Sequence, residues 1–128
     1  MVGIVLISHS SSLAEGAAEL AGQVARGVRV VPAGGTDDGR LGTSTERIAA
    51  AIRVADTGDG VLLLPDLGSS VLSARSVLAD LDPARTWIRL VDVPFVEGAV
   101  AAAVAASGGL DLATVATTAE EARDARKL

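Results

Sequence analysis

The chain has no cysteine and no tyrosine, and only one histidine, one tryptophan and one phenylalanine. Without cysteine, disulfides and thiolate metal sites are excluded, and a cysteine-free chain suits the cytoplasm. The single histidine leaves only carboxylates as further metal ligands, and these lack the spacing of a calcium loop. So few aromatic rings supply no stacking platform for nucleic-acid bases. With 11 Lys and Arg against 16 Asp and Glu, the net charge is -5. The clustered cations that phosphate-backbone binding needs are therefore missing. No apolar run approaches the roughly 20 residues of a membrane span, and the alanine-rich stretch 99–106 is far shorter. No basic segment precedes the apolar run 2–7 and no small-residue cleavage site follows it, so no signal peptide is expected.

What remains is a regular alternation. A length of 128 residues predicts a single domain over 1–128, enough to bury a core without staples. Continuous apolar runs at 2–7, 28–31, 60–64 and 87–91 read as strands buried on both faces. Between them lie helical patterns at 13–26, 43–55, 70–81 and 96–107, the last closed by Gly108 and Gly109. In the first helix Leu13, Ala17, Leu20 and Val24 share a face, and Ser12 with Glu15 fits a capping box. Thr43 with Glu46 fits a second box, and Ile48 and Ile52 point inward behind it. Pro32 is expected to stop the second strand, and 33–42 to form a glycine-rich loop. A short last strand is expected at 112–116 and a polar helix at 119–127. The alternation implies an α/β fold: an open, mostly parallel sheet with helices on both faces.

In such sheets the working site lies beyond the carboxyl ends of the strands. The loops 8–12, 32–44, 65–70 and 92–98 share that edge and hold the polar residues of interest. His9 directly follows the first strand and precedes a helix. A neutral imidazole is a competent nucleophile, because its ordinary pKa is about 6.5. A phosphoryl group on its ring would lie near the free N–H groups of the next helix, with Ser8, Ser10, Ser11 and Ser12 as further donors. The alternative is a plain capping histidine. Asp66, in Pro65-Asp-Leu-Gly-Ser-Ser70, could accept Nδ1–H of His9 and leave Nε2 to attack, or simply cap a helix. Ser69 or Ser70 would supply a cap or a phosphoryl contact. The glycines of loop 33–44, Gly35 among them, allow close approach to a ligand, although the loop is neither a Walker loop nor a dinucleotide fingerprint. Phe95 reads as a plug at the core edge, and Arg75 as a solvated or structural cation. A serine hydrolase lacks its Gly-x-Ser-x-Gly elbow here.

Taken in order, these segments resemble the mannose-type EIIA domains of the bacterial phosphotransferase system. They are Ile7-Ser-His-Ser10 with Leu13-Ala-Glu-Gly16, Gly34-Gly35, Asp38-Gly39, Gly42-Thr-Ser44, Asp66-Leu-Gly-Ser-Ser70 and Val96-Glu-Gly-Ala99. Within that family the chain is more similar to the phosphotransferase subunits of phosphoenolpyruvate-dependent dihydroxyacetone kinases, the DhaM proteins. Sugar-transport EIIA domains usually continue into a Thr-Asp-x-x-Gly-Gly-Ser-Pro loop, which is absent. The resemblance implies that His9 takes a phosphoryl group from the carrier HPr and passes it to ADP on the DhaL subunit. The ATP so formed would phosphorylate dihydroxyacetone on DhaK, and this chain would need no cofactor of its own. It also implies a homodimer, with 112–116 as a strand exchanged between copies. HPr-like and enzyme I-like domains, carried by some DhaM proteins, are expected on separate proteins. The other readings are an EIIA component of a mannose-type transporter, a regulatory phosphohistidine module, and a binder of a phosphorylated small molecule.

Overall fold

The computed structural model describes residues 1–84 and 87–128. Among the described residues the first eight elements alternate as expected and a fifth helix follows them: β1 Gly3–Ser8, α1 Ser11–Val24, β2 Val30–Gly34, α2 Thr45–Ala55, β3 Val61–Pro65, α3 Gly68–Ala79, β4 Ile88–Leu90, α4 Phe95–Ser107 and α5 Leu112–Glu121. A 3₁₀ turn, Ala122–Asp124, follows. All strand pairs are parallel, in the order β2-β1-β3-β4. The central strands β1 and β3 are buried at every position, which is why their sequences are unbroken apolar runs. One face carries α1, α4 and α5 over Ile4, Leu6, Leu62 and Leu64, and the other carries α2 and α3 over Val5, Ile7, Val61 and Leu63. The strand order reverses between β1 and β3, so the crevice at their carboxyl ends is the topological switch point.

Several local expectations are corrected. The second strand does not stop at Pro32 but runs through it to Gly34. It is an edge strand, and its bonds to β1 use odd-numbered residues, with the Arg29 carbonyl and Gly35 N–H at its two ends. The nitrogen of Pro32 therefore faces away from the sheet, where a missing donor costs nothing. Helix α1 starts at Ser11 with Ser10 as its cap, not at Leu13 with Ser12. Of its predicted inward face only Ala17 is buried, whereas Leu13, Leu20 and Val24 are exposed and Ala14 and Ala21 face the sheet. The cause is close approach: a Cβ on Gly34 would lie 2.8 Å from Ala14 Cβ and 2.5 Å from the Ser10 carbonyl oxygen. Leucines have no room there. Helix α2 is capped by Ser44, which accepts from Arg47 N–H at 3.2 Å, while the Thr43 hydroxyl hydrogen-bonds Ser73 at 2.6 Å.

The expected strand at 112–116 is a helix. Asp111 accepts from Thr114 N–H at 2.9 Å and caps α5, and Leu112, Val115, Ala116 and Ala119 pack on the α1–α4 side. That i, i+3, i+4, i+7 spacing is helical, and it outweighs the β-branched appearance of the segment. The strand proposed for exchange between copies is thereby removed. No helix among the described residues is long and apolar enough to cross a membrane.

Candidate functional site

The residues that directly follow β1 and β3, His9 and Asp66, bring the site together. Their strands lie side by side, with Ile7 opposite Pro65, and Asp66 N–H donates to the Ile7 carbonyl at 2.9 Å. This pairing puts His9 against Asp66. Nδ1 of His9 stands 3.0 Å from Oδ1 of Asp66, with the imidazole 24% and the carboxyl 8% exposed. Asp66 receives three further donors: the Ser8 hydroxyl at 2.8 Å and His9 N–H at 3.1 Å on Oδ2, and Leu67 N–H at 2.7 Å on Oδ1. Burial pushes the Asp66 carboxyl up, but the Ser8 hydroxyl, the backbone and ring of His9 and the Leu67 N–H outweigh it and hold it below the ordinary Asp value. An ionised carboxylate can only accept. The proton between the two groups therefore sits on Nδ1, which in the neutral imidazole leaves the lone pair on Nε2. Nε2 is in hydrogen-bond contact with the hydroxyl of Ser69, at the exposed start of α3, and accepts from it in that form.

The glycine-rich segment 35–44 braces this arrangement. Gly42 N–H donates to the His9 carbonyl at 2.8 Å, and Gly35 N–H to the Ser8 carbonyl at 3.1 Å. Gly35 has φ of +75° and Gly42 of +140°, the left-handed region where other residues are strained. The Thr43–Ser73 contact ties the same segment to α3. Close approach is thus made to the histidine loop itself.

The other expected contacts are distributed differently. Only Ser69 reaches the ring of His9. The Ser10 hydroxyl accepts from Leu13 N–H at 3.2 Å, and the Ser11 hydroxyl donates to Glu15 at 3.1 Å. Ser70 is fully buried and its hydroxyl donates to the Leu67 carbonyl at 2.6 Å, within its own turn. The first-turn N–H groups of Ser11 and Ser12 precede the first intrahelical bond, from Ala14 N–H to the Ser10 carbonyl, and begin directly beside His9. Phe95 is half-buried against the core at the start of α4. Arg75 lines a crevice of about 280 Å³ with Pro65, Val71, Leu90, Val91 and Asp92, beside the dyad and not part of it. Among the described residues no three His, Asp or Glu side chains converge to hold a metal ion.

A histidine held by a carboxylate at one ring nitrogen and met at the other by one exposed hydroxyl can act chemically as a nucleophile. Comparison with known proteins agrees with the frame that presents it. The profile of the EIIA-man family, described as the PTS system fructose IIA component, matches residues 3–116. Curated relatives include the phosphoryl donor subunit DhaM of PEP-dependent dihydroxyacetone kinase from Pantoea ananatis, 42% identical over 99% of this chain and 28% of its own length. The Escherichia coli protein of that name is 38% identical, again over 99% of this chain and 28% of its own. The chain thus spans little more than a quarter of these relatives. Phosphoryl donor subunit DhaM of PEP-dependent dihydroxyacetone kinase 2 from Listeria innocua is 41% identical over 81% of this chain and 85% of its own length. The crystal structure of EF1359, a protein described as of unknown function, superposes with a TM-score of 0.85 at 34% identity, covering 94% of this chain and 93% of that one. The chain belongs to the EIIA-man family.

Proposed function

We propose that this chain is the phosphoryl carrier of a phosphoenolpyruvate-dependent dihydroxyacetone kinase system, with His9 as the group that is phosphorylated. The observation that carries this reading is the His9–Asp66 pair: Nδ1–H is held at 3.0 Å by an ionised carboxylate, so the lone pair of Nε2 faces the surface. In the first step that lone pair attacks the phosphorus of a phosphohistidine on the donor HPr. The Nε2–P bond forms as the donor's N–P bond breaks, and the donor imidazole leaves. Nδ1 keeps its proton, so the phosphorylated ring gains positive charge, which Asp66 stabilises. The first-turn N–H groups of α1 favour the incoming anion, and the Ser69 hydroxyl is free to turn from Nε2 to a phosphoryl oxygen. In the second step the terminal phosphate oxygen of ADP, held by DhaL, attacks the phosphorus and His9 leaves neutral. ATP then phosphorylates dihydroxyacetone on DhaK. The chain binds no nucleotide itself in this scheme.

One further feature supports a protein partner on each side of the transfer. Leu41, Leu67 and Leu72 are 80%, 63% and 66% exposed on the segments that carry Gly42, Asp66 and Ser69. Apolar side chains this exposed around a nucleophile fit a surface that is covered transiently. The names of the relatives supply the substrate class.

The test charges the protein with enzyme I, HPr and phosphoenolpyruvate, and follows intact mass before and after adding DhaL with ADP. An acid-labile phosphate that is lost only with DhaL and ADP is the expected result. A phosphate that persists would overturn the kinase assignment in favour of a transporter or regulatory role, and no phosphate at all would overturn the carrier itself.

A further inference from the structure

Among the described residues only two polar ones, Ser8 and Ser70, are fully buried. Ser70 spends its hydroxyl within its own helical turn. Ser8 does not. Its hydroxyl donates to Oδ2 of Asp66 at 2.8 Å and accepts from Ser10 N–H at 3.0 Å. It therefore joins the α1 cap to the carboxylate of the dyad, and it is turned away from the imidazole. A carboxylate is free to rotate about its Cβ–Cγ bond unless both oxygens are held. Leu67 N–H and the His9 ring hold Oδ1, whereas Oδ2 has only the Ser8 hydroxyl and the longer bond from His9 N–H at 3.1 Å. Of the groups that favour the ionised form of Asp66, the Ser8 hydroxyl is foremost.

We infer that Ser8 is a positioning residue for His9: through Asp66 it fixes the imidazole in the Nδ1–H tautomer and so decides which nitrogen is nucleophilic. The inference rests on the carrier role of His9, but it makes a prediction about the resting protein that does not. A hydroxyl is the one small group that serves both bonds, as donor to the carboxylate and as acceptor from Ser10 N–H. Alanine loses both and leaves a backbone donor without its partner. Because Ser8 is fully buried, it cannot touch an incoming protein. Its loss therefore acts on the rate of transfer within the complex and not on docking.

The sole histidine makes the test direct, since the imidazole nitrogens give one pair of ¹⁵N resonances in the whole chain. The wild type should show the Nδ1–H tautomer, with Ser8→Ala shifted toward a mixture of the two. In phosphoryl transfer from phosphorylated HPr, regenerated with enzyme I and phosphoenolpyruvate, kcat of Ser8→Ala should fall about ten-fold with KM unchanged, as expected for losing one hydrogen bond to a charged group. Ser8→Thr, which keeps the hydroxyl, should restore both readouts. Should Ser8→Ala fail to fold, Ser8→Thr and Ser8→Val give the same comparison at matched volume. A hydroxyl-free variant with the wild-type tautomer and kcat would overturn the role of Ser8 alone. A wild type that accepts no phosphate would overturn the carrier reading, while the resonances still decide Ser8.

Discussion

The helices that follow β1 and β3 both start at the carboxyl edge, each within a few residues of a dyad member, yet only one has a side-chain cap. Ser10 caps α1 by accepting from Leu13 N–H at 3.2 Å. The cap position of α3 is held by Leu67, with no side-chain hydrogen bond. Asp66, the residue type best suited to cap, stands one position earlier and turns its carboxylate to His9, Ser8 and Leu67 N–H instead. A cap is worth about 1 kcal/mol. The start of α3 gives up roughly that much stability, and the carboxylate holds the imidazole of His9 instead. On the proposed role of His9, local stability and function compete for one side chain, and function has it.

The sharpest way to break this contrast is Asp66→Asn. Losing a charge-assisted bond to the imidazole should slow phosphoryl transfer by about 10- to 100-fold in a single-turnover assay. An unchanged rate would reduce Asp66 to a structural residue. The same variant has a pH signature. The folded pKa of Asp66 lies below its unfolded value, so its contribution to stability is fully present above the unfolded value of about 3.9 and is lost as pH falls through the folded one. The stability gap between wild type and Asp66→Asn, from urea unfolding at a series of pH values, should shrink with acidification below about pH 4. A gap that widens on acidification would mean the carboxyl is raised, not lowered.

Smaller effects sharpen the comparison from the side of the helices. Gly34→Ala forces a Cβ to 2.5 Å from the Ser10 carbonyl, where α1 begins. Unfolding free energy should fall by about 1–3 kcal/mol, as for other overpacked sites. Ser10→Ala removes the existing cap and should cost about 1 kcal/mol. Leu67→Ser offers α3 the side-chain cap it lacks and should stabilise by about 0.5–1 kcal/mol in chemical denaturation. Equal and opposite shifts in the last two variants would confirm that the two helix starts differ by one cap. A destabilised Leu67→Ser would show that packing of the leucine matters more.

Much of this is legible in the sequence, and each failure has its own physical cause. The runs of β1 and β3 are apolar at every position because the sheet is covered on both faces, and the loops that follow them held His9 and Asp66. Side-chain size decides the inward face of α1. Hydropathy alone ranks Leu13, Leu20 and Val24 as the inward face of α1, but the close approach at Gly34 has room only for Ala14, and Ala17 and Ala21 continue that buried face. Pro32 reads as a terminator until β2 is known to be an edge strand. In the segment 112–116, expected as a short strand, the Asp111 cap and the spacing of the buried residues are helical. The link from Ser8 to Asp66 had no sequence signal, since nothing in a run of serines says which hydroxyl points inward.

The most direct test of His9 as carrier is ¹⁵N and ³¹P NMR of the protein charged by phosphorylated HPr, beside His9→Ala treated alike. Phosphate bonded to Nε2, with Nδ1 still protonated, and none on a folded His9→Ala, is the expected result. Phosphate on Nδ1, or on a serine of the variant, would contradict the assignment of Nε2 as the nucleophile held in place by Asp66.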